Sequence, residues 1–586
     1  MASQHSSYVE KFQTLREKVD SQRKRSRSDQ NKLLSGCGAK QPKLEFGPDN
    51  SVKVEKSSDP ALQSRYDEAK VIYAARTMSS FQSLEQIHVI AEALLPNTHK
   101  QKLKNKSAKA MSRKTGKMAN LMKRKLFNIV LGAKKLNKAI SLTSDMWKSR
   151  NNNSVIGLTA HFFAKKFKLQ KFVLYAEYFG QKKHTGRHIL IGLNKMMAQV
   201  GLHQSGHKKY ILLDNASNNK CAMKMSNDFV PVWCAIHTLQ LSISDSFKAK
   251  VGMVSVKKII EKCKEVSNLV RRAEANRDDL KRACAATNTD FILPFKPGET
   301  RWNSKEKNLC SVIRLQPALQ NLQIQDTGDT WSVQVPTARE FETGKAMQQC
   351  LEPLKIATKI WEQDKKPTIH TVVRELFNIK VKLGKLSRKP GVKMFAKNLQ
   401  YNVEKRFRNC GTEQMFYNLG HFLDPSMKGE VLKQFPGVFE KTLAEVKRRC
   451  LEIEAASVEA TTEDNRAEVI EEEVEEEEEL TGAQLLMKRA AVSVSNVSVR
   501  ADSSVSKAEV EVEKFLELAV SQEDICIWWE KNMEAFPILS QLAREILSIP
   551  ASSASSERLF SAGTRVGQTI LCIKNPNNPI LFIFRL

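Results

Sequence analysis

Apolar positions along this chain fall into two kinds of run. The first kind is short and continuous. Ile140-Ser141-Leu142-Thr143-Ser144 runs into Asp145, and Tyr210-Ile211-Leu212-Leu213 runs into Asp214-Asn215-Ala216-Ser217-Asn218-Asn219. Runs of four or five such residues bounded by polar turns suit strands buried on both faces. Two more strands read from Ser154 to Phe163 and from Phe172 to Phe179. Asn151-Asn152-Asn153 supplies a hairpin turn before the first of them, and Lys165-Lys166 sits near the next turn. A helix from Thr185 to about Gly201 would bury Ile189, Leu190, Leu193, Met196 and Met197. Val230 to His237 then leads into a helix over Leu239 to Phe247.

Three neighbouring strands, a helix, then a strand and a helix is the order of an RNase H-like core, here over residues 136–247. The second kind of run repeats at helical spacing. It appears in 61–135, throughout 248–510 (Leu354, Ile356, Ala357, Ile360 and Trp361 are one such face), and again from Lys514 to about Gly563. The fold expected is α/β with a large all-α block, preceded by a basic helical segment and a disordered tail over 1–60. Glu471 to Glu479 is nearly all glutamate, so 459–480 reads as an acidic loop.

Charge narrows the partners. Across 586 residues the net formal charge is +30, which favours a polyanion, nucleic acid first. From Lys102 to Lys138 there is no acid, while Lys123, Arg124, Lys125 and ten other cations fall there. Met118, Leu121, Met122 and Leu126 make an apolar stripe in that segment, so it reads as a helix laid on phosphate backbone. Arg23-Lys24-Arg25-Ser26-Arg27 reads as a nuclear address or a non-specific nucleic-acid contact, and equally well as a solvated tail. Eleven scattered cysteines argue for a reduced compartment. No Cys-x-x-Cys pair supports a zinc finger, and no apolar run approaches the about 20 residues of a membrane span.

An acid at the end of a buried strand is well placed to hold a metal ion, because the sheet fixes the carboxylate while the edge admits substrate. Aspartate also ends strands and caps helices for local reasons, so neither Asp145 nor Asp214 decides anything alone. Further patterns follow in order: Cys234-Ala235-Ile236-His237, Thr300-Arg301-Trp302-Asn303-Ser304, Leu351-Glu352-Pro353-Leu354, Leu423-Asp424-Pro425, and the block from Phe536 to Phe560. With Ser141 to Trp147 and Asp214 to Asn218, they resemble the hAT (hobo/Activator/Tam3) transposases and proteins derived from them, over about residues 135 to 565.

The resemblance implies an RNase H-like core split by the helical insertion of 248–510 and completed by 511–566, which would also carry a C-terminal dimerisation region. Asp145, Asp214 and Glu557 would then be a catalytic triad holding Mg²⁺ or Mn²⁺, hard cations that take oxygen ligands. Cys234 and His237 would sit near that centre. Arg301 and Trp302 would handle a DNA end, arginine on phosphate and tryptophan stacked on a base. DNA, a homodimer or higher oligomer, and the nucleus follow as partners and place, with no membrane. Two departures stand out. There are no residues for the BED-type finger of many relatives, and 567–586 leaves the family pattern after Val566, reading as a truncated or read-through end. The alternative function is a non-catalytic, transposase-derived nuclear protein that binds DNA and dimerises.

Overall fold

Alternation along one strand decides the centre of the molecule. On β1 (Ala139–Lys148), Ala139, Ser141, Thr143 and Asp145 point to one side, and Ile140, Leu142 and Ser144 to the other. A computed structural model describes residues 108–136, 139–148, 154–179, 184–203, 208–248, 253–298, 302–325, 331, 335–408, 413–476, 506–554 and 556–558. The expected tail over 1–60, the turn at 151–153, Arg301 and the segment 567–586 lie outside them.

Before β1 runs α1 (Ala108–Leu136). β2 (Ser154–Ala164) and β3 (Lys168–Tyr178) follow, then α2 (Gly186–Gln199), β4 (Lys208–Leu213), α3 (Ser217–Lys224) and β5 (Phe229–Trp233). The sheet order is β3-β2-β1-β4-β5. β2 is antiparallel to β1 and β3, whereas β4 is parallel to β1 and β5. Pro231 is tolerated in β5 because that strand is an edge. The β2–β3 turn places Lys166 and Phe167 at φ 60° and 46°. That backbone costs energy for residues with a Cβ, and burial offsets it: Phe167 is buried, with the Arg544 guanidinium 4.2 Å from its ring centre.

Each face of the sheet has its own apolar cluster. Ile140, Leu142, Ile156, Leu158, Ile211 and Leu213 pack with Leu126, Val130 and Ala133 of α1 and with Ile189, Leu193, Met196 and Met197 of α2. The other face meets a helical block: α4 (Ala235–Lys248), α5 (Val254–Arg272), α6 (Glu274–Ala286), α7 (Trp302–Arg314), α8 (Gln316–Gln325), α9 (Ala338–Trp361), α10 (Thr371–Leu386), α11 (Lys393–Arg408), α12 (Glu413–Phe422), α13 (Val438–Glu476), α14 (Lys507–Glu517), α15 (Ile525–Asn532) and α16 (Pro537–Leu547). The described molecule is therefore mixed α/β, mostly helical, around one small five-stranded sheet.

Two expectations shift. In α1 Leu126 of the expected stripe packs together with Val130 and Ala133, while Leu121 is 57% exposed and the side chains of Met118 and Met122 lie outside the described residues. The C-terminal half of the helix lies over β1 and β2. Helix also continues to Glu476, through most of the stretch read as an acidic loop. Glutamate is a good helix former, and the helix is already nucleated upstream by the packed turns around Val446 and Cys450.

Candidate functional site

β1 and β4 run parallel, with Thr143 beside Leu212. Continuing that register two residues sets Asp145 beside Asp214, at the same end of the sheet and on the same face. Across β1 on its other side, Asp145 is paired with Gly157, so no side chain crowds the carboxylate from β2. Both aspartates are half-buried. Asp214 Oδ1 accepts from the Ala216 backbone N–H (3.0 Å) and from Asn219 Nδ2 (2.5 Å). Asp145 Oδ1 accepts from the Met146 N–H at 2.7 Å. The polar run after β4 thus holds one acid in place while starting α3.

Glu557 comes to this face by a different route. The segment after α16 crosses the sheet on small hydroxyl residues. Ser548 Oγ pairs with Ser141 Oγ at 2.7 Å, and Ser556 Oγ with Thr143 Oγ1 at 2.9 Å. Thr143, Thr159 and His161 continue the network across β1 and β2, with His161 Nε2 3.2 Å from Thr159 Oγ1. Burial, with the Lys171 charge second, pushes the His161 imidazole down to about 3, so it is neutral there. Every hydroxyl in this track is buried and directional, and together they fix where the segment stops sliding.

Cys234 is the second anchor. Its N–H donates to Leu213 O at the end of β4 (2.9 Å), and the Ala235 N–H donates to Ala551 O at 2.9 Å. Its sulfur accepts from the N–H and hydroxyl of Ser553 (3.5 Å each) and from the His237 N–H (3.4 Å). Burial pushes the thiol up, and the nearby Glu557 charge adds to that. Cys234 therefore acts as a buried acceptor that docks the returning segment. His237 is half-buried one turn along α4.

Glu557 itself is half-buried in the first turn of a helix, its N–H bonded to Ser553 O at 3.2 Å. Its neighbour Arg558 donates to Glu362 O at 2.7 Å and pairs with Asp364, which also holds the buried Lys171 of β3. Burial holds Lys171 below the ordinary lysine range, opposed by that aspartate. A third tie runs between Tyr210 on β4, Glu545 on α16 and Arg449 on α13. Arg449 Nη1 lies 3.0 Å from the Tyr210 hydroxyl and 3.3 Å from the Glu545 carboxylate.

The arrangement sets Asp214, just past the end of β4, beside Asp145, and carries the Glu557 turn to the same face; Asp145 does not end its strand as expected, because β1 stays paired with β2 as far as Lys148. Among the described residues, no three His, Cys, Asp or Glu side chains are grouped as a metal ion requires. The donor chemistry of the two aspartates does suit a hard cation: paired carboxylates, partly open, with room beside Gly157. Trp302 is 6% exposed and sits in the helical core, so its ring is committed to packing. Arg124 and Lys125 are exposed on α1, where Lys123 also lies. Ser141, Thr143, Ser548 and Ser556 lie within the sequence motifs, but their pairing across the sheet is not readable from them. The signal was available as serines crowding an otherwise apolar stretch, but it named no partner strand.

The region expected to self-associate is largely consumed within the chain. Phe515, Trp528, Trp529 and Phe536 form one aromatic cluster of the core, and Trp529 Nε1 donates to Leu423 O at 3.1 Å. Val510, Leu518, Val520 and Ile527 remain exposed there.

A family model for the hAT family C-terminal dimerisation region matches residues 505–578. That match continues past Val566, where the sequence reading placed a departure from the family pattern. The protein named Putative AC transposase from Zea mays is 24% identical over 74% of this chain and 54% of its own length. Zinc finger BED domain-containing protein DAYSLEEPER of Arabidopsis thaliana is 23% identical over 46% and 37% of the two chains. Zinc finger BED domain-containing protein RICESLEEPER 2 of Oryza sativa subsp. japonica is 43% identical over a stretch covering 11% and 9%. The chain spans about half the length of the maize relative. The dimerisation region and the long stretch shared with the maize protein together support kinship with the hAT-family transposases and the proteins derived from them.

Proposed function

We propose that this chain is a DNA-binding protein of transposase type whose sheet is an RNase H-like core, with Asp145, Asp214 and Glu557 serving phosphodiester cleavage and strand transfer. The observation that carries the reading is the meeting of Asp145 and Asp214 on one face of parallel β1 and β4, with the segment bearing Glu557 returning to that face after about 340 residues of chain. In this reading 248–510 is an insertion, and residues before it and after it complete one core. Asp145 and Asp214 would hold the cation, with Glu557 as the third candidate ligand. Mg²⁺ or Mn²⁺ bound there would polarise the phosphate and activate a water or a 3′-hydroxyl. Asn219 orients the Asp214 carboxylate, Cys234 and the serine track deliver the Glu557 turn, and Arg558 locks it against Asp364. DNA is held by the basic face of α1, the protein works as a dimer through 505–578, and it acts in the nucleus.

A second reading keeps DNA binding and dimerisation without cleavage. It is favoured by the lack of a preformed three-ligand group among the described residues. Incubation with supercoiled plasmid carrying the element's terminal repeats, in Mg²⁺ or Mn²⁺, separates the two. Under the first reading nicked and cut products appear and Asp145→Asn abolishes them, at least about 100-fold, as expected for loss of a ligand to the reacting metal. Binding without strand breakage by the wild type selects the second reading. Cleavage that survives Asp145→Asn removes the assigned site.

A further inference from the structure

We propose that the segment Phe291 to Phe295, between α6 and α7, is a stacking surface for unpaired nucleotides of bound DNA. The proposal rests on the DNA-binding reading above and adds the state of the DNA that is taken. Residues alternate here as they would on a strand. Phe291, Leu293 and Phe295 are 38%, 41% and 39% exposed, while Ile292 is half-buried against the core and Pro294 is buried. Three large apolar side chains in a row therefore face outward from a segment whose other side is anchored.

The anchoring is specific. Arg271 Nε donates to Pro294 O (3.0 Å) and Asn308 Nδ2 to Phe295 O (2.7 Å), while the Phe295 N–H donates to Ser311 Oγ (2.9 Å). Pro294 and Pro297 have no N–H to offer. At Pro294 and Phe295 the backbone groups are thus engaged and do not pair with a strand from a peptide partner. What it offers is side chains alone, on a backbone pinned by α5 and α7.

Each phenylalanine has an amine over one face of its ring, so a base would stack on the opposite face. Lys281 Nζ stands 5.9 Å from the centre of the Phe291 ring, and Lys307 Nζ 5.5 Å from that of Phe295. Lys296 is exposed next to them. Asp278 shares Lys281 at 2.9 Å and Asp290 precedes the segment, so the patch is mixed in charge with cations prevailing. A nucleotide carries a flat base and one negative charge a few ångströms apart, and each Phe–Lys unit matches that pair. In a duplex the base faces are hidden in the stack, so only unpaired bases can use such a surface. An apolar protein partner would satisfy the rings but bring no counter-charge to the Lys296 and Lys307 amines.

The test titrates the full chain by fluorescence anisotropy against a labelled oligothymidine and a labelled duplex. Phe291→Ala combined with Phe295→Ala should weaken single-strand binding by about ten-fold or more, since stacking on an aromatic ring is worth roughly that per base. Duplex affinity should stay within about two-fold, because that contact is to phosphates through α1. Phe291→Tyr combined with Phe295→Trp should retain single-strand binding. Unchanged single-strand binding in the alanine pair, with duplex binding intact, overturns the stacking surface and leaves the DNA-binding reading standing. A wild type that binds neither probe overturns both. If the alanine pair leaves single-strand binding alone but changes sedimentation of the protein, the patch is a protein interface and the proposal falls.

Discussion

The two faces of the sheet are built from alternate residues of the same strands, and they are held by different physics. Toward α1 and α2, Ile140, Leu142, Ile211 and Leu213 meet other hydrocarbon, and none of those four exposes more than 2% of its surface. Toward α16 and the segment after it, Ser141, Thr143, Thr159, His161 and Tyr210 meet Ser548, Ser556 and Glu545. Elements that cover the first face are close in sequence and need only to be pressed down, which non-directional burial achieves. The element covering the second arrives from 400 residues away. Sliding it by one residue would point Glu557 elsewhere, and apolar packing alone tolerates such slips. Hydroxyl pairs do not, because each unmade buried bond costs its desolvation.

Truncation on the apolar face should give the largest effect. Leu158→Ala should cost about 2–5 kcal/mol, as large-to-small changes at fully buried positions do, since the site is closed on all sides. Chemical denaturation measures it. A loss below about 1 kcal/mol would mean that this face is loosely packed and that the contrast is misdrawn.

Acid should act on the polar face and spare the apolar one. The His161 imidazole is pushed from 6.5 down to about 3 by its burial, so the folded protein takes up its proton later than the unfolded chain. Above pH 6.5 that stabilising preference for the neutral ring is fully present. It declines as the pH falls from 6.5 toward 3, at up to about 1.4 kcal/mol per pH unit for one such group. His370 and His421, each pushed down to about 4 by burial, add to the same trend. Thermal melts across this range should show the decline. His161→Gln should flatten it in part, and an unaltered pH profile in that variant would show that the imidazole is not where the titration acts.

The smallest effect is the most informative. Thr143→Val and Ser556→Ala remove the two partners of one 2.9 Å bond, and a double-mutant cycle should return a coupling of about 0.5–1.5 kcal/mol. Cleavage, where present, should fall further than stability does in Ser556→Ala, because the turn carrying Glu557 loses its stop. Zero coupling would assign the register to Cys234 and Arg558 instead.

Much of the front half of this structure could be read from the chain itself. Continuous apolar runs marked β1 and β4, helical spacing from Thr185 marked α2, and polar turns separated β2 from β3, because strand and helix periodicities are local. The same locality identified Asp214 as a strand-end acid, whereas β1 runs on past Asp145 to Lys148 because β2 still pairs with it there. Family-like motifs fixed the kinship, since a motif needs only order and spacing. Tertiary structure decided what no window of sequence contains. It set Asp145 beside Asp214 through the parallel register of β1 and β4, gave the serines after α16 their partners on β1, and turned Trp302 and the aromatic cluster of α14 to α16 inward. It also left Phe291 and Phe295 outside, on a segment whose composition alone would have buried them. Periodicity tells which side of an element is apolar; which neighbour covers that side depends on contacts hundreds of residues apart.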